Sequence, residues 1–486
     1  MNRRMFTGGW RTAAVLLSGV MGVSLVSAVP ADAVHGAVPG DFNGDGFRDA
    51  VLPAPGADVA GKEGAGAVVV LYGSASGVSA TRRKTITQNT AGVPGTAEAY
   101  DRFGGATATA DLNRDGYADL IVSSPYEDTT KGTNAGTVTV LWGGSDGLTT
   151  GTDLPASGAA GFDPLYYGLD IAAVSGPSGA KTEVLVGGWS GSVRFTGPFS
   201  RTGTYGGSAV ANDSFSDSVA LGDLDGDGAP DHVNVTYGQS GESGGWIFVN
   251  PEDSDATPEL PPHLTQGNGH IAATGDLNGD GFADLVVGDP DEPEVEGADG
   301  MSGGRVLVWY GSASGITSDA KPVQLTQNTA GVPGASEKSD AFGGALAVSD
   351  LNRDGLADIV VGAPYENLGS TRPRAGTVTV IPGRTSGTLG SGSYSFSQET
   401  SGVPGASEPG DFFGTTVAAG DVNKDGKPEL FISAASENNS TGAVWILPGG
   451  STRPTATGSR LFTASSVGLT QQNGTLLGGN GLLGVI

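Results

Sequence analysis

Six nine-residue acidic patterns, D-x-[DN]-x-D-G-x-x-[DE], recur along the 486 residues. Positions 1, 3, 5 and 9 carry side-chain oxygens. They are Asp41, Asn43, Asp45 and Asp49, then Asp111, Asn113, Asp115 and Asp119, then Asp223, Asp225, Asp227 and Asp231. The other three sets are Asp276, Asn278, Asp280 and Asp284; Asp350, Asn352, Asp354 and Asp358; and Asp421, Asn423, Asp425 and Glu429. Position 7 adds a backbone carbonyl from Phe47, Tyr117, Ala229, Phe282, Leu356 and Lys427. Carboxylates at every second residue repel one another unless a hard cation sits among them. Ca²⁺ takes about six to eight oxygens, and glycine at position 6 lets a sharp loop turn them inward. The expected chemistry is calcium binding, with about six ions per chain. An acidic turn that binds nothing is the alternative, and sixfold recurrence of both ligands and glycine weighs against it.

These loops are not EF-hands. An EF-hand needs a bidentate Glu at position 12 and flanking helices. Position 12 here is Leu52, Val122, Asn234, Val287, Val361 and Ile432. Short β-branched runs follow the loops, as in Leu120 to Val122 and Ile359 to Val361, which is strand composition. Each loop therefore joins two strands.

An aromatic-glycine pair precedes the loop at a fixed offset: Phe103-Gly104, Phe342-Gly343 and Phe413-Gly414, with Phe215 at the same offset before Asp223. The offset exposes a hidden copy. Tyr167-Gly168 projects to Ser175, and Glu183 falls at position 9, but Ser175, Pro177 and Gly179 replace the ligands. This repeat keeps the length and is expected to have lost the metal. Each long unit then reads as a small-residue strand, the acidic loop, a buried strand ending in a Gly-Ala-Pro-like turn, and two further strands. Seven units of four strands predict an all-β, seven-bladed β-propeller, with calcium loops between the first and second strands of six blades.

The phenylalanine-glycine pair, the acidic loop and the Gly-Ala-Pro turn (Gly362 to Pro364) resemble the FG-GAP repeats of integrin α-subunit propellers and of secreted bacterial proteins. The resemblance implies that the loops lie on one face and that partners bind on the other. The opposite face would carry Tyr126, Glu127, Tyr365 and Glu366 as partner contacts. The pair is missing before Asp41, and Asn268 stands in its place before Asp276. The tail from Leu477 to Ile486 resembles the leading strand of the sixth repeat, so it is expected to pair beside the first blade and close the ring.

Glycine numbers 84 of 486, far above the usual ~7%, and sits in turns between short strands. Residues 1–33 read as an export signal, with Arg3, Arg4 and Arg11, an apolar stretch, and small residues at Ala31 and Ala33. Residues 34–486 then form the propeller, secreted and extracellular. No cysteine is present, which excludes disulfides and thiol catalysis. The net charge of −27 becomes −29 without three Arg and Asp32 of the signal, and six Ca²⁺ would bring it to −17. That balance disfavours nucleic acid and anionic membranes as partners. A monomer binding an extracellular protein or glycan is expected.

Catalytic patterns are weak. Gly143 to Gly147 matches G-x-S-x-G but falls on a repeat turn, without the strand-to-helix elbow that a nucleophile needs. Four histidines, His35, His232, His263 and His270, form no recognisable triad. A glycan-active lyase or hydrolase on a propeller scaffold remains the alternative. It would show a cluster of His, Arg, Tyr or acids breaking the repeat at one channel mouth. Trp142, Trp309 and Trp445, on third strands, are expected to pack between blades.

Overall fold

The computed structural model describes residues 38–156, 163–175, 181–212, 215–238, 242–251, 263–293, 295 and 297–481. Residues 1–33 and Pro177 and Gly179 lie outside the described residues. Seven antiparallel sheets follow one another along the chain, each with its strands in sequence order. The first strands of the blades are β1 (Val38–Gly40), β5 (Thr107–Ala110), β9 (Ile171–Ser175), β13 (Ser218–Gly222), β16 (Ile271–Gly275), β20 (Ala345–Ser349) and β24 (Phe413–Gly420). The second are β2 (Asp49–Ala54), β6 (Asp119–Ser124), β10 (Thr182–Gly188), β14 (Asp231–Val235), β17 (Asp284–Asp289), β21 (Asp358–Ala363) and β25 (Glu429–Ala434). The third are β3 (Ala67–Leu71), β7 (Thr137–Trp142), β11 (Gly191–Thr196), β15 (Ile247–Val249), β18 (Arg305–Trp309), β22 (Thr377–Ile381) and β26 (Ala443–Leu447). Outer strands are β4 (Arg83–Ile86), β8 (Thr150–Asp153), β12 (Gly207–Asn212), β19 (Val323–Leu325), β23 (Tyr394–Phe396) and β27 (Arg460–Thr463). Blade 4 has three strands among the described residues. First strands touch in succession around the ring, and β24 meets β1 to close it. This is the seven-bladed propeller that the repeat predicts.

The core lies between the blades. Seven apolar clusters occur among the described residues, one at each blade junction. Second strands are buried on both faces, which explains their unbroken Val, Ile and Leu runs, whereas β4 and β8 on the rim alternate or are exposed. Trp142, Trp309 and Trp445 are at most 2% exposed. Their indole N–H groups donate to Thr152 Oγ1 at 2.9 Å, Ala320 O at 3.0 Å and Pro404 O at 2.7 Å, and the rings lie in the clusters between blades as expected.

The aromatic-glycine pair is the keystone of a junction. Phe103 N–H donates to Ala65 O of the preceding blade, and Gly104 N–H donates to Ser123 O of its own second strand. Tyr167-Gly168, Phe342-Gly343 and Phe413-Gly414 occupy the same slot, with the rings at most 1% exposed. The glycine carries φ of 91° to 100° in these pairs, a conformation that a Cβ penalises. Phe215 departs from the expectation. Ser216 follows it and does not take that conformation, and the Phe215 ring turns out to 49% exposure.

The tail fills the vacant slot of blade 1. Leu477 is fully buried between blades 7 and 1, its N–H donates to Thr441 O, and Gly478 (φ 97°) donates to Pro53 O of β2 at 2.7 Å. The expected pairing beside the first blade is observed. It replaces the missing aromatic-glycine pair, whereas the inner strand of blade 1 is its own β1. Residues 482–486 lie outside the described residues.

Candidate metal loops and the opposite face

Each acidic loop is a coil of side-chain oxygens wrapped by its own amides. The position-1 carboxylate accepts the N–H of the position-6 glycine in all six loops, at 2.7–3.0 Å. Position 3 accepts the N–H of position 5 at 2.8–3.0 Å. Position 5 accepts the N–H of position 7 at 2.7–3.2 Å. The glycine is required because φ there is 76° to 91°. Position 4 is left-handed too, even where it is Arg114, Arg353 or Lys424, a strain the sequence did not announce.

Position 9 has a second task that sequence reasoning missed. One oxygen of Asp49, Asp119, Asp231, Asp284, Asp358 or Glu429 accepts the N–H of position 2, at 2.6–3.1 Å. In five blades the other accepts from a glycine after the third strand: Gly73, Gly143, Gly311, Gly383 or Gly449, at 2.9–3.5 Å. In blade 4 the donor is Asn250 Nδ2. The recurring glycine turn after the third strand was the signal for this latch. Burial pushes the carboxyls of Asp49, Asp119, Asp284, Asp358 and Glu429 up to about 7 against these bonds.

The donor set fits a hard cation. Carboxylate oxygens of Asp223, Asp225 and Asp227 all lie within 4.8 Å of one another. Asp223 Oδ1 is buried without a hydrogen-bond partner. In three loops a base leans on the outer acid: Arg82 on Asp45 at 3.3 Å, Arg201 on Asp115 at 2.6 Å and Lys427 on Asp425 at 3.7 Å.

The third hairpin confirms the hidden repeat. Val174 pairs with Glu183, as Ala110 pairs with Asp119 and Ser349 with Asp358. Ser175 Oγ donates to Asp111 O at 3.0 Å and Thr182 Oγ1 to Leu112 O at 3.2 Å, so this hairpin braces the loop of blade 2.

Known families align with the same units. The FG-GAP repeat family matches residues 33–71, 103–141, 268–309, 342–381 and 413–447, and the FG-GAP-like repeat family matches 223–287. The chain is an FG-GAP repeat protein. It resembles the propellers of integrin α subunits. Human integrin alpha-6 is 34% identical over 132 residues, 26% of this chain and 10% of that protein. The mouse phosphatidylinositol-glycan-specific phospholipase D is 34% identical over 166 residues, 34% of this chain and 18% of that protein. The chain thus matches less than a fifth of these relatives' length. A rhamnogalacturonan lyase of Bacillus licheniformis superposes with a TM-score of 0.39 at 14% identity, covering 92% of this chain and 78% of that one.

On the opposite face of this FG-GAP propeller, Tyr126 is 37% exposed, and Tyr365 packs 5.1 Å from Phe412 beneath the Arg374 guanidinium. Glu127 and Glu366 are less free than sequence suggested. Gln88 Nε2 donates to Glu127 at 2.5 Å, Gln327 Nε2 donates to Glu366, and a third copy joins Gln398 to Glu437 at 2.8 Å. Burial raises the Glu127 carboxyl to about 7, opposed by the Gln88 bond. The rings of Tyr166, Trp189 and Phe215 continue from Tyr126 and were not singled out as contacts.

Blade 5 breaks the repeat. Asp289, the last residue of β17, is fully buried and accepts from Arg305 Nε at 2.8 Å. Ser243 Oγ donates to Asp289 at 2.7 Å, while His270 Nε2 faces Ser243 O at 3.0 Å and Asp291 at 3.1 Å. The serine hydroxyl thus points away from the imidazole, and Ser243, His270, Asp289 and Arg305 are at most 3% exposed. This geometry has no nucleophile-base pair that a substrate could reach. Among the described residues no helix is long and apolar enough to cross a membrane.

Proposed function

We propose that the protein is a secreted, calcium-stabilised propeller that serves as an extracellular binding module for a protein or glycan. The observation that carries this is the convergent carboxylate trio Asp223, Asp225 and Asp227, with a buried and unpartnered Asp223 oxygen, in one of six loops built alike. Bound Ca²⁺ would be held by positions 1, 3, 5 and 9 and the position-7 carbonyl, and would neutralise acids that otherwise repel. Three of the loops are also tied to the next blade, so an ordered loop would brace its neighbour. Ala118 N–H donates to Asp41 O, Ala283 N–H to Asp223 O and Ala357 N–H to Asp276 O, at 2.8–2.9 Å. A rigid ring then presents the opposite face. The basic and apolar start of residues 1–33 supports export, and millimolar extracellular calcium suits weak sites of this type. Native mass spectrometry in calcium tests the assignment. Six ions are expected per chain and five in Asp227→Ala. A count of none or one would overturn it.

A further inference from the structure

Three exposed rings and a half-buried one meet on the face opposite the loops. Tyr126, Tyr166, Trp189 and Phe215 form one continuous row, with successive centroids 5.2, 5.2 and 5.5 Å apart and each pair edge-to-face at 60°, 88° and 66°. Tyr126 follows β6 of blade 2, Tyr166 precedes the keystone Tyr167 of blade 3, and Trp189 follows β10. Phe215 comes from blade 4. Its counterparts Phe103, Phe342 and Phe413 are at most 1% exposed, while Phe215 is 49% and Trp189 42% exposed. Singly exposed rings are common on protein surfaces, but a contiguous run of them marks an interaction site.

We infer that this row is a binding platform for an extended, uncharged polysaccharide. The inference rests on reading this face as the binding face. Sugar rings carry C–H faces that pack on the electron-rich faces of aromatic rings, with hydroxyls left to water at the edges. A succession of rings crossing from blade 2 to blade 4 suits a chain with a repeating apolar face better than a globular partner, whose anchors gather at a centre. Charge selects among polymers. The chain carries −27 overall, and Glu127 stands beside Tyr126. No guanidinium or ammonium lies over any of the four rings among the described residues, in contrast to Arg374 over Tyr365. Acidic polysaccharides and nucleic acid are therefore repelled.

Affinity electrophoresis of the calcium-loaded full chain tests this, in gels containing hydroxyethyl cellulose, galactomannan, laminarin or polygalacturonate. Retardation is expected in at least one neutral gel and not in polygalacturonate. Trp189→Ala should weaken it about tenfold or more, as for a central aromatic anchor. Tyr126→Ala should weaken it less. Tyr310→Ala, at a ring 40% exposed after β18, should leave it unchanged. Melting curves of each variant establish that it is folded. Free migration in all three neutral gels, or retardation that survives a folded Trp189→Ala, Tyr126→Ala double variant, would overturn the glycan assignment. A purified protein partner that binds in place of glycan and is lost in Trp189→Ala would sink this inference and leave the binding module standing. Retardation by a protein that native mass spectrometry finds free of calcium in calcium buffer would sink the calcium assignment alone.

Discussion

In blade 2, β5 and β6 join through Asp111, Asn113, Asp115 and Asp119; in blade 3, β9 and β10 join with Ser175 at position 1 and Glu183 at position 9. Both hairpins keep one register, Ala110 opposite Asp119 and Val174 opposite Glu183. The carboxylates differ in their company. Asp119 accepts two backbone N–H groups, whereas Glu183 has Arg194 at 3.8 Å and one buried oxygen without a hydrogen bond. Strand pairing therefore does not need the acids, since packing of the second strand already sets the register. The acids of blade 2 hold their loop's amides, and the proposed cation would offset the repulsion among them. Blade 3 instead uses hydroxyls to hold its neighbour.

The largest expected effect removes that difference. With calcium at about 1 mM and a Kd near 0.1 mM, each site adds about 1.4 kcal/mol, and six together on the order of 8 kcal/mol. That is comparable to the net stability of a whole domain. Calorimetric melting with calcium and with chelator should therefore differ by about eight degrees. Equal melting temperatures would mean that the six loops are as metal-independent as the blade 3 hairpin.

Next in size is the seam, where the tail stands in for a keystone pair. Leu477 lies fully buried among Leu52, Val69, Phe431 and Val444. Leu477→Ala should cost about 2–5 kcal/mol, by lost burial and the cavity left behind. Denaturant unfolding in saturating calcium measures it. A cost below about 0.5 kcal/mol would show that the seam closes without the tail, and that Leu477 does not match Phe103 or Phe413 in function.

Much of this was legible because the repeat copies its grammar. The fixed offset from aromatic pair to loop located even the ligand-free third repeat, and β-branched runs after the loops marked strands buried on both faces. What escaped was nonlocal. Nothing near Asp49 or Asp119 announces the glycine more than twenty residues on that donates to its buried oxygen. The outward turn of Phe215 depends on Ser216 lacking glycine's freedom, a one-residue change inside a matching offset. The aromatic row draws on three blades, and no segment contains its pattern. Glu127 and Glu366 looked exposed because their glutamine partners lie 39 residues earlier in sequence, on the outer part of the preceding blade.

A smaller effect separates the ligand role from the brace. Asp115→Ala should remove one bound ion and cost about 1.4 kcal/mol in calcium. Ser175→Ala should remove no ion and cost about 0.5–1.5 kcal/mol, because it leaves Asp111 O without that hydroxyl donor. Ion counting by native mass spectrometry beside denaturant melts distinguishes them. Loss of an ion with Ser175→Ala would place a ligand where the comparison has only a brace.

The smallest effect lies on the opposite face, where three junctions share the glutamine-glutamate pair. Burial first, then the neighbouring Asp411, raises the Glu437 carboxyl from an ordinary 4.5 to about 7, with the Gln398 bond opposing. The folded chain thus keeps a proton that the unfolded chain has already released. Stability from this group is present below about pH 4.5 and is lost as pH rises to about 7. Glu437→Gln removes the titration while leaving Asp411 and all six loops in common with the parent. As pH rises from 4.5 to 7.5 in saturating calcium, the parent should lose melting temperature relative to the variant. The shift should be modest, because Glu437 is only partly buried and still reaches water. A parent that gains on the variant over that range would mean the carboxylate is stabilised in the junction, and that Gln398 outweighs its burial.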